Sequence, residues 1–129
     1  MQSNNGVETE LILTADNSHK DIVDVLVAHN LDVDLQSIDG LTNLMIAARN
    51  GNKDIVELLL AHNCNLAVQD NNGLTALMIA AEKGYNDIVD MLLAHNCNVD
   101  LQSIDGWTAL EIAAEKGHDD IVEMLIQLR

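Results

Sequence analysis

The sequence predicts an all-α solenoid, a row of helix-turn-helix units joined by short extended turns, and three observations carry the prediction. One phrase returns at a fixed interval: DGLTNLMIAARNGNKDIVELLLAHN from Asp39, NGLTALMIAAEKGYNDIVDMLLAHN from Asn72 and DGWTALEIAAEKGHDDIVEMLIQLR from Asp105, each thirty-three residues after the one before. Within the phrase, apolar residues at helical spacing fall into two short blocks with a glycine between them. A period in this range marks a repeat architecture, in which no unit buries its apolar face alone and neighbours must stack. The 129 residues contain no proline, so no stiff linker divides them, and they are read as one domain.

The frame places units at about 6–38, 39–71, 72–104 and 105–129. The first is degenerate. ETELILTADNSHKDIVDVLVAHN from Glu8 follows the frame loosely, with Gly6 one position early and Val7 in the place of the turn glycine. Glu10, Thr14 and Asp16 stand where inner units are small or apolar, as suits a rough N-terminal cap. In the complete units the elements come in one order. Thr42, Thr75 and Thr108 precede the first apolar block, where a hydroxyl caps a helix N-terminus. That block carries paired alanines, Ala47–Ala48, Ala80–Ala81 and Ala113–Ala114, small enough for a neighbouring helix to come close. Gly51, Gly84 and Gly117 stand where a helix needs a terminal residue with positive φ. A second helix is predicted to begin at Asp54, Asp87 or Asp120, its acid complementing the helix dipole. Ile55, Val56, Leu58, Leu59 and Leu60 give it a broad buried face. Asn30, Asn63 and Asn96 close it, because asparagine tolerates left-handed backbone. A stretch such as VDLQSIDG leads to the next unit.

Together these residues resemble the ankyrin repeat. The length, the T-x-L-x-x-A-A block, the glycine after it, D-I-V-x-x-L-L and the closing turn agree in phase from about residue 7 to residue 129. There are departures. The family's T-P-L-H stands here as TNLM, TALM and TALE, and its glycine after the second helix as Asn30, Asn63 and Asn96, which weakens local capping. The resemblance implies a protein-binding array that makes contact through its turn tips and the exposed face of its first helices. Carried onto this chain, the tips are Ile38, Asp39 and Leu41, then Asn71, Asn72 and Leu74, then Ile104, Asp105 and Trp107. The helix positions are Met45, Arg49 and Asn50, then Met78, Glu82 and Lys83, then Glu111, Glu115 and Lys116. The resemblance also implies that Cys64 and Cys97 fill a small buried position. His118 then falls at the turn between the two helices, with His19 one residue out of register.

Composition narrows the function. Twenty-one acids against six bases give a net charge of −15, which argues against nucleic acid and anionic membrane as partners. The start, MQSNNGVETE, lacks the basic and apolar regions of a secretory signal, and two cysteines suit a reduced, intracellular, cytoplasmic setting. Asp21, Asp54, Asp87 and Asp120 recur in register, whereas a catalytic carboxylate pair is singular, so they are read as scaffold. His62-Asn63-Cys64 and His95-Asn96-Cys97, with His29 in the same column, offer two ligands per unit where a structural zinc needs four. Stacked helices lie roughly 8–10 Å apart, too far for His62 and His95 to share an ion or, with a limit of ~7 Å between Cα atoms, for Cys64 and Cys97 to pair. His62 and His95 instead suit the C-terminal ends of the second helices. No cofactor and no metal are expected.

What remains is recognition of a protein. Leu41, Leu74 and Trp107 share one column after the turn glycines, expected as an exposed apolar stripe flanked by Ile38 and Ile104. Trp107 is the chain's one tryptophan, a residue enriched in binding hot spots. Met45 and Met78 are expected behind the stripe, with Arg49, Lys83, Glu111 and Lys116 as its charged rim. The acids Asp24, Glu57, Asp90 and Glu123 form a column on the second helices, read as a solvated face. The last unit keeps Ile126 and Leu128 and is a weak cap, so a monomer is expected with end-to-end association open to it. The reading is a non-enzymatic scaffold for a protein partner. Its alternatives are a regulator that covers a partner enzyme, and a structural or engineered module with no partner.

Overall fold

A computed structural model describes residues 36–127. They form six helices: α1 Asn43–Asn50, α2 Lys53–Ala61, α3 Ala76–Lys83, α4 Asn86–Ala94, α5 Ala109–Lys116 and α6 Asp119–Gln127. There is no strand among the described residues. α3 packs between α1 and α5 in one row, α4 packs between α2 and α6 in a second, and each first helix lies against the second helix of its own unit. The chain is thus an all-α row of stacked helix pairs. The readings on Val7, Asp16, His19, Asp21, Asp24, His29 and Asn30, and on Leu128, lie outside the described residues.

Local sequence sets each helix end. The hydroxyls of Thr42, Thr75 and Thr108 accept from the backbone N–H of Met45, Met78 and Glu111. Gly51, Gly84 and Gly117 close the first helices at φ of 73°, 79° and 77°. The second helices start one residue earlier than expected, at Lys53, Asn86 and Asp119. Their acids Asp54, Asp87 and Asp120 therefore sit just inside the first turn. Asn52 and Tyr85, at the N-caps, make no side-chain cap bond, which leaves the acids to complement the helix dipole. His62 and His95 are the C-caps, and Asn63 and Asn96 beyond them take φ of 57° and 60°.

The core runs along the first helices. Six consecutive residues are buried in α1, Asn43 to Ala48, and six in α3, Ala76 to Ala81. Met45 and Met78, expected on a contact face, are 1% and 2% exposed and belong to the core. The reason is packing on several sides at once: α3 has α1 and α5 beside it and α4 behind it, so no turn of it is free before Glu82 and Lys83. The column of Leu41 and Leu74 is corrected in the same direction. Both are half-buried and pack against the core rather than standing in solvent. Ala47, Ala48, Ala80, Ala81 and Ala113 are wholly buried, as the close approach of neighbouring helices requires.

One ring ties each of the units 72–104 and 105–129 to the unit before it. A Cβ on Gly51 would lie 3.1 Å from Tyr85 Cζ, and one on Gly84 would lie 2.7 Å from His118 Cε1. His118 Nε2 also donates to the Glu82 carbonyl at 2.9 Å, so this histidine bridges units as well as turning its own. Gly117 has the same backbone conformation with nothing near it. Gly117→Ala is expected to cost about 1 kcal/mol, the penalty of left-handed backbone for alanine. Gly84→Ala is expected to cost about 2 kcal/mol, because the ring must move and its hydrogen bond is lost. Urea denaturation of the two variants checks the order, and equal losses would remove the ring from the account.

Candidate functional site

The candidate site is built on the turn tips. In each turn a short polar side chain closes the backbone. Ser37 Oγ accepts from Leu41 N at 3.2 Å and Ser103 Oγ accepts from Trp107 N at 3.1 Å. Asp70 replaces serine in the middle turn and accepts twice, from Asn72 N at 2.8 Å and Leu74 N at 2.9 Å. A glutamine then ties the turns together. Gln36 Nε2 donates to Gly40 O at 2.8 Å in its own turn and to Gln69 O at 3.0 Å in the next. Gln69 repeats both bonds, to Gly73 O at 2.7 Å and Gln102 O at 2.9 Å. Gln102 keeps the bond within its own turn, to Gly106 O at 3.0 Å. Backbone bonds run beside this ladder, Asn71 N to Asp39 O at 3.2 Å and Ile104 N to Asn72 O at 2.9 Å.

Among the described residues two clefts lie between the tips and the first helices, one at each seam. The first, about 410 Å³, has Leu41 and Leu74 on the tip side and Arg49, Ile79, Glu82 and Lys83 on the helix side. The second, about 300 Å³, has Leu74 and Trp107 on the tip side and Met78, Ile112, Glu115 and Lys116 opposite. Trp107 is 37% exposed, while Ile38 and Ile104 project from the tips at 94% and 74%.

The structure thus gathers Leu41, Arg49, Leu74, Met78, Lys83, Trp107 and Lys116 around the two clefts, Met78 only as floor. Ile38 and Ile104 stand on the rim, Met45 lies in the core, and Glu111 is engaged elsewhere. Its Oε1 accepts from Thr108 N at 2.9 Å, completing a capping box that holds the start of α5. Residues not singled out as site residues also line the clefts, Asp70, Ile79 and Ile112 among them. The signal for the ladder was present: glutamine recurs at 36, 69 and 102. Its role needs the spacing of the turns, which the sequence alone does not state.

Other titratable groups serve the scaffold. Lys53 Nζ lies 2.9 Å from Asp87 Oδ2, and the carboxylate raises the lysine pKa through that hydrogen bond. Asn86 Nδ2 donates to Asp120 Oδ2 at 3.3 Å in the equivalent place one unit on. His95 Nδ1 donates to Met91 O at 3.1 Å, turning back onto its own helix. Burial raises the pKa of the half-buried Cys97 thiol, so it stays a thiol rather than a nucleophilic thiolate. Among the described residues no group of three or more His, Cys, Asp or Glu side chains is placed to hold a metal ion. Nor, among them, is any helix long and apolar enough to cross a membrane.

Stacked helix pairs with clefts along one edge define a helical repeat array. The family model for ankyrin repeats (3 copies) matches residues 1–70 and 44–129, and the chain belongs to that family. A comparison with curated proteins gives no match.

The ladder sets the expected cost of breaking it. Gln69→Ala removes two hydrogen bonds and should cost about 1 kcal/mol. Gln102→Ala removes one, at an exposed site, and should cost roughly half as much. Denaturant titration measures both, and hydrogen exchange at the Ile104 amide should quicken in Gln69→Ala only.

Proposed function

We propose that this chain is a protein-binding scaffold that meets its partner along the tips and clefts, without catalysis. Ankyrin repeats are in general protein–protein interaction modules. The observation that supports this placement is the set of exposed large apolar side chains at the tips, Ile38 on the first described tip and Ile104 with Trp107 on the third, beside clefts with mixed charge. Exposed apolar groups are ordinary singly; three along one edge mark a contact surface. Binding is by a preorganised surface, since the ladder already fixes the turns and little ordering entropy is lost on contact. In this reading the chain acts as a monomer, and its charge of −15 keeps it from nucleic acid and anionic lipid.

A paired capture from cell lysate tests the reading. One bait is the protein itself. The other carries Ile38→Ser, Ile104→Ser and Trp107→Ser, which leave the half-buried Leu41 and Leu74 and the core untouched. Circular dichroism should show equal helix content. Proteins held by the first bait and lost from the second are the expected result. An identical set on both baits would put the contact elsewhere, and an empty first bait would leave the scaffold reading without a partner.

A further inference from the structure

We propose that the cleft under Trp107 receives a cationic side chain, arginine or lysine, from an extended segment of the protein partner. The proposal rests on the protein-binding reading and adds what that partner must carry. The two clefts lie one unit apart and differ in chemistry. In the first, two bases, Arg49 and Lys83, stand against Asp39, Asp70 and Glu82. One of those acids is already committed, since Asp70 accepts from two backbone N–H groups. In the second, Glu82, Asp105 and Glu115 face a single base, Lys116. None of these three carboxylates takes part in a hydrogen bond or ion pair among the described residues.

The tip residue differs too. Leucine at 41 and 74 gives way to tryptophan at 107. Indole is the best aromatic partner for a cation, which it attracts by the negative charge of its ring face. Leu74, Met78 and Ile112 give the floor of the same cleft an apolar patch. Arginine and lysine carry an aliphatic stem below a charged head, and such a stem lies well on apolar surface while the head stays near solvent. The floor therefore matches the stem of such a side chain, and the ring and the carboxylates match its charged head. The field of the whole chain, with its charge of −15, draws the same kind of segment and repels an acidic one.

The test uses random peptides displayed on phage, selected on the protein. The selected peptides are then made synthetically and titrated against Trp107 fluorescence, which comes from the chain's one tryptophan. Three variants are compared. Glu82→Gln with Asp105→Asn and Glu115→Gln removes the carboxylates of the cleft. Glu57→Gln with Asp90→Asn and Glu123→Gln removes the same charge from exposed positions on the second helices. Trp107→Leu restores the residue of the other two tips and is read by anisotropy of labelled peptide.

The expected result is a shared arginine or lysine in the selected peptides. Binding should fall about tenfold or more in the cleft variant, less steeply in Trp107→Leu, and by no more than about twofold in the second-helix variant. Replacing the shared arginine by its neutral analogue citrulline, or the shared lysine by acetyl-lysine, should cost the protein the same tenfold. Peptides that share no cation overturn this proposal and leave the protein-binding reading standing. Equal weakening by the two charge variants also overturns it, because attraction would then be diffuse. If no peptide is selected, this proposal falls, because the cleft then takes no extended segment, and the lysate capture decides the protein-binding reading.

Discussion

Close approach of the first helices is the constraint on which the rest of the structure depends. Ala47 and Ala48 of α1, Ala80 and Ala81 of α3 and Ala113 of α5 are wholly buried between elements. A longer side chain at these places would part the row, because interiors packed at crystal density have no slack for it. Everything at the turn tips inherits that spacing. Gln69 can reach both Gly73 O and Gln102 O, and Ile104 N can reach Asn72 O, only while successive units keep one separation. The clefts follow from the same spacing, one at each seam. The buried alanines therefore set the geometry of the exposed tips.

Much of this was legible in the sequence, and the reason is that local and global preferences agree. The threonine caps, the three left-handed glycines that close the first helices and the two left-handed asparagines are each dictated by residues within a turn of them. What sequence reading placed wrongly depends on a third dimension. The resemblance to ankyrin repeats puts Met45 and Met78 on the exposed face of their first helices. A helix covered by its own partner and by neighbours on both sides has little outer face, and six residues in a row are buried in α3. Periodicity reports a face only when one side of a helix is free. The half-burial of Leu41 and Leu74 has the same origin. The rings of Tyr85 and His118 were invisible for a different reason. Their contacts are with Gly51 and Gly84 of the unit before, a relation no spacing within one unit reveals.

Among the described residues the last unit has a stacked neighbour on one side only. Ala114 is exposed where Ala48 and Ala81 are wholly buried, and Ile126 is 54% exposed. Gly106 and Gly117 have open space where Gly73 and Gly84 meet the next unit. The residue types are those of the inner units, so the difference is one of neighbours and not of sequence. Stability in such an array is the sum of each unit and its seams. Of the described units, 72–104 alone has both of its seams among them, and Gln69, Tyr85 and Leu74 act there on two units at once.

Charge divides along the same lines, and the division is what composition conceals. Acids among the described residues fall into several distinct settings. Asp54, Asp87 and Asp120 complement helix dipoles, and the last two also accept from the preceding unit. Asp70 and Glu111 turn inward to hold a tip and a cap. Glu57, Asp90 and Glu123 are exposed on the second helices. Glu82, Asp105 and Glu115 have no such use within the described residues and border the one cleft that also holds an indole. A carboxylate engaged in the fold contributes field but little specificity, since its acceptor sites are taken. An unengaged one beside an aromatic ring supplies both. The net charge is a property of the whole chain, while the placement of these three acids is a property of one cleft.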